Sequence, residues 1–256
     1  MTIGIDLAAQ PRETAACMIA WRRQTASLEV LAAGFSDDAL LELLRRAPTK
    51  VAIDAPFGWP GPFVDAVAEY QRTGEWREAD IAPLRLRDTD RAVISSTGQQ
   101  PLSVSSDRIA VTAMRCARFL SRLRTEGHSI SRDGRGLVAE VYPAAALRVW
   151  GFEPRGYKGP KPEQRAKRLA LANGLSAATA SWLTFTNAER ASLAESDHLF
   201  DALICALLAR AIAEGRSRKV EPEERQAALA EGWIHLPLPG SLGDLATEYS
   251  PRLSKQ

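Results

Sequence analysis

The first 54 residues contain the pattern that most restricts what the chain can fold into. Their β-rich and leucine-rich segments follow one another as strand, strand, strand, helix and strand, over Thr2–Leu7, Thr14–Trp21, Leu28–Phe35, Asp37–Ala47 and Lys50–Asp54. Three consecutive strands favour an antiparallel meander, and a strand that follows a helix favours a parallel crossover. The pattern therefore predicts a mixed α/β sheet.

The rest of the chain adds helices and one further strand to this start. Apolar periodicity predicts helices near residues 62–72, 107–125, 143–150 and 196–215, several more within 163–195, and a strand at 137–142. A length of 256 residues suits one elaborated α/β domain.

Composition bounds the setting of the protein. The net charge of +2 is too small to indicate nucleic-acid binding by itself. Cys17, Cys116 and Cys205 are far apart and have no zinc-site spacing, which favours a reducing compartment. We find neither a signal-peptide pattern nor an apolar run long enough for a membrane span. A cytoplasmic location without a membrane partner is therefore expected.

Four acidic residues interrupt strongly apolar segments. They are Asp6, Asp54, Glu140 and Asp201. Burial of a lone carboxylate typically costs several kcal/mol, so each needs a cation, a metal ion or a proton. A shared site for Mg²⁺ or Mn²⁺ would explain all four, because these ions prefer hard oxygen ligands.

The predicted elements favour such a site. Asp6, Asp54 and Glu140 fall near the carboxyl ends of strands, the edge at which open α/β sheets bind ligands. Asp197 lies four residues before Asp201, so a helix places both on one face.

Structural explanations compete residue by residue. Asp6 and Asp54 could be strand-end turn residues, and Asp197 could cap its helix. Glu140 could pair with a core arginine such as Arg148. Asp201, in a helix that is apolar nearly all round, is the hardest to explain without a ligand.

Four short segments resemble one known family. They are Gly-Ile-Asp-Leu-Ala (4–8), Ile-Asp-Ala-Pro-Phe-Gly (53–58), Glu-Val-Tyr-Pro-Ala (140–144) and Asp-His-Leu-Phe-Asp-Ala-Leu-Ile-Cys-Ala (197–206). In this order they resemble the family known as domain of unknown function 429, whose members are labelled predicted nucleases of the RNase H-like fold. The resemblance extends from Ile3 to the segment at 231–237.

The resemblance implies a specific fold. RNase H-like domains have a five-stranded mixed sheet of order 3-2-1-4-5, with strand 2 antiparallel and helices on both faces. That order would set Asp6, Asp54 and Glu140 side by side. The last helix resembles that of RuvC-type junction resolvases, with Asp197 and Asp201 as its two acids. Residues 1–256 would form a single domain, with insertions at about 59–106 and 151–195.

The implied function is metal-dependent hydrolysis of phosphodiester bonds. Two Mg²⁺ or Mn²⁺ ions about 4 Å apart would activate water and stabilise the leaving oxygen. We expect Asp6 to bridge the ions and Asp54 and Asp201 to complete the two sites. Glu140 or Asp197 would act as a further ligand or orient the water.

Three basic residues are candidates to hold substrate phosphates. They are Arg87 and Arg91, within Arg-Leu-Arg-Asp-Thr-Asp-Arg, and Lys158, within Gly-Tyr-Lys-Gly. Surface ion pairs and a plain turn explain these segments equally well. His198 is a further candidate for proton transfer. The partner would be a nucleic acid or a nucleotide; the choice between DNA and RNA and the oligomeric state stay open.

Two other functions remain open. A phosphotransferase of the actin and sugar-kinase type shares this fold core, but it usually has two such domains and a Gly-rich loop after strand 1. A non-catalytic nucleic-acid-binding or regulatory protein would keep the fold and use the acids structurally. The sequence has no Walker A, GxGxxG, GxSxG or HExxH motif, which argues against the enzyme classes that carry them.

Overall fold

The computed structural model describes residues 1–247, and six strands of this part of the chain form one mixed sheet. The strands are β1 (Thr2–Asp6), β2 (Ala15–Arg22), β3 (Thr25–Ala33), β4 (Lys50–Asp54), β5 (Val138–Val141) and β6 (Ile234–His235). Their order is β3-β2-β1-β4-β5-β6; β2 is antiparallel to β1 and β3, whereas β1, β4, β5 and β6 are parallel. The predicted order 3-2-1-4-5 with an antiparallel second strand is confirmed, and β6 extends it.

Helices surround the sheet. They are α1 (Asp37–Leu44), α2 (Gly61–Thr73), α3 (Ala82–Arg85), α4 (Asp88–Thr97), α5 (Ala110–Thr125), α6 (Pro143–Val149), α7 (Pro162–Thr179), α8 (Asn187–Glu195), α9 (Asp197–Ala213) and α10 (Arg225–Glu231). Within residues 1–247, none of them combines the length and apolar character that a membrane crossing requires. That the two segments at 59–106 and 151–195 are insertions into a single domain stays a prediction.

The sheet is buried on both faces because its central strands alternate between two apolar cores. Ile3, Ile5 and Ile53 pack with α1 and α5, whereas Ala52 packs with α9 on the opposite face. Successive side chains of a strand point to opposite faces. The even-numbered residues of β1 and β4 therefore face α9, and the odd-numbered residues face α1 and α5.

Gly4 lets α9 approach β1 closely. A Cβ atom at this position would lie 2.1 Å from the backbone nitrogen of Ala206 and 2.2 Å from the carbonyl oxygen of Ala202. Any side chain would force the helix away from the strand. The glycine in the first apolar segment thus sets the distance between the acid at the end of β1 and the acid within α9.

Several boundaries differ from those predicted. The strand predicted from Leu28 begins at Thr25, because a tight turn with Gln24 at φ 59° lets Thr25 pair with Arg22. The helix predicted from residue 107 begins at Ala110, since the Asp107 carboxylate instead accepts a hydrogen bond from the Ser103 backbone. Neither α4 nor β6 was predicted, and β6 is only two residues long.

Candidate metal centre

Three carboxylates from three separate elements meet at one edge of the sheet. Asp6 and Asp54 are direct partners in the parallel register of β1 and β4, so their side chains leave the sheet on the same face. Asp201 comes from α9, which covers that face. One carboxylate oxygen from each of the three lies within 4.8 Å of the others.

This acidic triad, Asp6, Asp54 and Asp201, is largely removed from water. Asp6 is 8 % exposed and Asp201 is 1 % exposed. Burial, reinforced by the neighbouring acids, raises the pKa of Asp54 well above its usual range. Burial likewise raises the pKa of Asp201 to about 6, although Lys158 opposes the shift. Clustered negative charge in a low-dielectric site therefore needs a positive partner.

Lys158 supplies one positive charge to the triad. Its ammonium nitrogen lies 2.7 Å from a carboxylate oxygen of Asp201 and 3.7 Å from one of Asp54. Burial lowers the pKa of Lys158, but attraction to Asp201, Tyr157 and Asp54 outweighs it and raises the pKa well above its usual range. The side chain is therefore a stable cation, and it is still 48 % exposed on its outer side.

Two further side chains hold the acids in place. The Tyr157 hydroxyl donates a hydrogen bond of 2.7 Å to Asp201, and its ring packs against Phe200. On the other side, His198 Nδ1 lies 2.6 Å from a carboxylate oxygen of Asp6. This hydrogen bond raises the pKa of His198. The histidine thus donates to Asp6 and fixes the orientation of its carboxylate.

Hydrogen bonds with two neighbouring helices, α7 and α9, hold the segment that carries Tyr157 and Lys158. The Asp197 carboxylate, in the first turn of α9, accepts a 2.8 Å hydrogen bond from the Gly159 backbone. Arg168, only 1 % exposed, donates to the carbonyl oxygens of Tyr157 and Gly159 at 2.6 and 2.8 Å. Among the residues that the structure describes, Asp197 is not part of the three-acid group, and its contact is with this loop.

Glu140 leaves the sheet on the other face. It is the register partner of Ile53, one residue before Asp54, so strand alternation directs it away from α9. Both its oxygens accept hydrogen bonds from Arg87, at 2.7 and 3.0 Å, and one also accepts from the Phe57 backbone at 2.9 Å. Glu140 therefore has a cation of its own, although it is not the Arg148 considered from the sequence.

The two arginines predicted to hold phosphates occupy different settings. Arg87 is 2 % exposed and is shared between Glu140 and Asp90, so the described residues satisfy its guanidinium. Arg91 is half-exposed and pairs with Asp88. Of the three predicted phosphate-binding residues, Lys158 is the one that contacts the triad.

The triad fits a divalent metal ion on the chemistry of its donors. The three carboxylates bring oxygen donors within 4.8 Å of one another, and Mg²⁺–oxygen bonds of about 2.0–2.1 Å would draw such donors to within about 4.2 Å, so an ion would bind after a small inward movement of the side chains. Hard oxygen donors suit Mg²⁺ or Mn²⁺ and do not suit the softer metals that prefer sulfur. Asp6, Asp54 and Asp201 would be the residues that hold the ion.

The structural roles of two buried arginines in this region, Arg87 and Arg168, were not predicted from the sequence. Arg168 precedes Leu171 and Leu175 on one helical face, so its spacing marked it as a residue of the packed side of α7. The Arg87–Glu140 ion pair joins residues 53 positions apart in the chain, and no local sequence pattern predicts it.

Comparison with known proteins gives one result. Neither the curated proteins nor the solved structures provide a match to the chain. One family profile, however, matches residues 4–226, a range that contains the acidic triad, Lys158 and both buried arginines. On this match the chain belongs to the family described as "Protein of unknown function (DUF429)".

Proposed function

We propose that the protein is a metal-dependent nuclease that hydrolyses phosphodiester bonds at the acidic triad. The observation that carries the proposal is the approach of three carboxylate oxygens, from β1, β4 and α9, within 4.8 Å. Three like charges at this distance cost folding energy, and the single ammonium of Lys158 offsets only part of them. Binding of a metal ion would explain why the fold nevertheless brings these three acids together.

The chain's own residues would divide the work among them. Asp6, Asp54 and Asp201 would bind the ion, while His198 and Tyr157 keep Asp6 and Asp201 oriented. When bound, a divalent ion supplies Lewis-acid stabilisation of charge on the phosphate oxygens. In the reaction, a water oxygen forms a bond to phosphorus and the water gives up a proton, the ester P–O bond breaks, and the departing oxygen takes up a proton, so that no net proton is gained or lost at these two oxygens.

Lys158 would change partner during this cycle. In the present arrangement its ammonium neutralises part of the triad. A divalent ion would take over that neutralisation, and the exposed side of Lys158 would then be free to contact a substrate phosphate. The two-ion scheme predicted from the sequence stays a prediction, which the stoichiometry of Mn²⁺ binding tests directly.

The test is Mn²⁺-dependent cleavage of a fluorescent oligonucleotide and of bis(p-nitrophenyl) phosphate. We expect Asp6→Asn to abolish cleavage of both, since it removes a ligand charge from the centre of the site. Asp65→Asn, which changes an exposed acid of α2, should cleave like the wild type. A wild-type protein that cleaves neither substrate with Mn²⁺ or Mg²⁺ would refute the proposal.

A further inference from the structure

A cavity of about 570 Å³ opens beside the acidic triad. Asp6, Asp54 and Lys158 are among its lining residues. Its walls come from α5, from residues 99–102 and from residues 154–158, the last two within the segments expected to exceed the minimal fold. Segments that the minimal fold lacks therefore form part of the walls, and residues at the carboxyl ends of β1, β4 and β5 form another part.

The volume is that of a small-molecule site. Pockets for ligands of drug size measure roughly 300–1,000 Å³ and are walled mainly by apolar groups. Here the walls include Leu7, Pro101, Leu102, Ile109 and Val141. A ligand with a flat apolar face and a polar edge would match this lining.

The charges around the cavity fit one or two phosphates. Its lining cations are Arg87, Arg155 and Lys158, and Arg87 is already fully paired with Glu140 and Asp90. Duplex DNA carries one charge per roughly 1.7 Å of axis, and proteins that track it neutralise several phosphates. Arg155, and Lys158 once a bound ion has replaced it at Asp201, would supply charge for a single phosphodiester and its neighbour.

Two glutamine side chains suited to reading a base also belong to the lining of the cavity. Gln99 and Gln100 line the cavity, and within the described residues neither side-chain amide has a hydrogen-bond partner. A glutamine amide carries both donors and an acceptor, the complement of a nucleobase edge. Tyr142 also lines the cavity and provides an aromatic ring on which a base can stack.

We infer that this cavity binds one nucleoside unit of the phosphodiester, so that the substrate is a small nucleotide diester or the unpaired end of a strand. The inference rests on the proposed function for the reaction, but the binding it describes is measured separately. The interior of an intact duplex does not enter, because its paired bases cannot reach a cavity of this size without flipping out.

Thr112 allows the cavity to be filled without touching the acids. It lines the cavity from α5, is half-buried, and precedes the fully internal Ala113. Thr112→Phe places a ring in the space proposed for the nucleoside. Val111→Phe adds a ring of the same kind one position earlier on α5, where the side chain is exposed and outside the cavity, and is the matched control.

The experiment is calorimetric binding of thymidine 5′-monophosphate in the presence of Mn²⁺. We expect wild type and Val111→Phe to bind alike, and Thr112→Phe to bind at least about tenfold more weakly, with unchanged thermal unfolding. Absence of binding to wild type, or equal binding by Thr112→Phe, would overturn the inference. Cleavage of bis(p-nitrophenyl) phosphate by a wild type that does not bind the monophosphate would show that the proposed function stands when the cavity inference fails.

Competition separates the two sources of the same chemistry. A single strand with free ends that displaces the monophosphate identifies strand ends as ligands. Failure of that strand to compete restricts the inference to small nucleotides. A duplex closed by hairpins at both ends should not compete, and competition by it as strong as that of the free single strand would contradict the inference.

Discussion

Removal of the Arg87 guanidinium should destabilise the protein more than almost any other change to a polar side chain. The group makes four side-chain hydrogen bonds to two carboxylates, at 2.7 and 3.0 Å to Glu140 and at 2.9 and 3.1 Å to Asp90. The three side chains are between 0 and 2 % exposed. Arg87→Met would leave both acids buried without their cation.

The expected cost follows from that burial. Breaking a buried ion pair by removing one partner typically costs about 3–5 kcal/mol, because the remaining charge stays uncompensated. For a chain of this size, a loss of 1 kcal/mol lowers Tm by about 2–4 °C. Urea denaturation should show the loss in the free energy of unfolding, and thermal unfolding should show a Tm lower by roughly 6–20 °C.

The dependence on pH distinguishes this mechanism from a simple loss of packing. Burial already raises the pKa of Glu140, although Arg87 opposes the shift. Without Arg87 the folded-state pKa of Glu140 rises further, above its value in the unfolded chain. The variant then loses stability as the pH rises from the pKa of Glu140 in the unfolded chain towards its higher pKa in the folded chain. Arg87→Met should therefore lower the free energy of unfolding more at about pH 8 than at about pH 5.

The control lies four residues further along the chain. Arg91 is 46 % exposed and pairs with the exposed Asp88, so Arg91→Met should cost at most about 1 kcal/mol. A double variant of Arg87→Met with Glu140→Gln should recover part of the lost stability, since it removes one uncompensated charge. A cost below 1 kcal/mol for Arg87→Met, or a cost independent of pH, would refute the reasoning.

Three further predictions test other parts of the structure. Lys158→Gln should bind Mn²⁺ roughly tenfold more tightly in calorimetry, because the ion no longer displaces an ammonium group from the triad. The control Lys161→Gln changes an exposed lysine and should not alter Mn²⁺ binding. Weaker Mn²⁺ binding by Lys158→Gln would contradict this prediction. Gly4→Ala should lower the free energy of unfolding by roughly 1–3 kcal/mol and weaken Mn²⁺ binding, while Gly243→Ala, whose added Cβ meets nothing within 4 Å, should do neither. Burial lowers the pKa of His235 to about 4 from 6.5, so as the pH falls the unfolded chain binds a proton at this histidine before the folded chain does. The free energy of unfolding should therefore fall by about 3 kcal/mol as the pH drops from 6.5 to 4. An equal dependence of the free energy of unfolding on pH in His235→Gln would argue against His235 as its cause.

The sequence predicted the parts of the fold that depend on local pattern. The bounds of β4 agree with the prediction, β1 ends one residue earlier than predicted, and α9 begins one residue later and ends two residues earlier. Asp6 and Asp54 could be placed together because each ends a parallel strand, and Asp201 because a carboxylate inside an apolar helix needs a partner. The resemblance to the family supplied the strand order that joins these elements.

Glu140 shows where local reasoning stopped. Its place at the end of a strand was predicted, but the face on which it leaves the sheet depends on the register between β4 and β5. A shift of one residue in register moves a side chain to the opposite face, and the sequences of β4 and β5 do not by themselves determine their register. For the same reason the partner of Arg87 could not be named from the sequence.

The central claim is that Asp6, Asp54 and Asp201 form a metal site, and Mn²⁺ binding measured by electron paramagnetic resonance tests it most directly. Asp201→Asn removes a charge from the triad, and Asp197→Asn removes the same charge one helical turn away, from a residue that contacts the Gly159 backbone. We predict saturable Mn²⁺ binding by wild type and Asp197→Asn and its loss in Asp201→Asn. No binding by wild type, or equal binding by Asp201→Asn, would contradict the account.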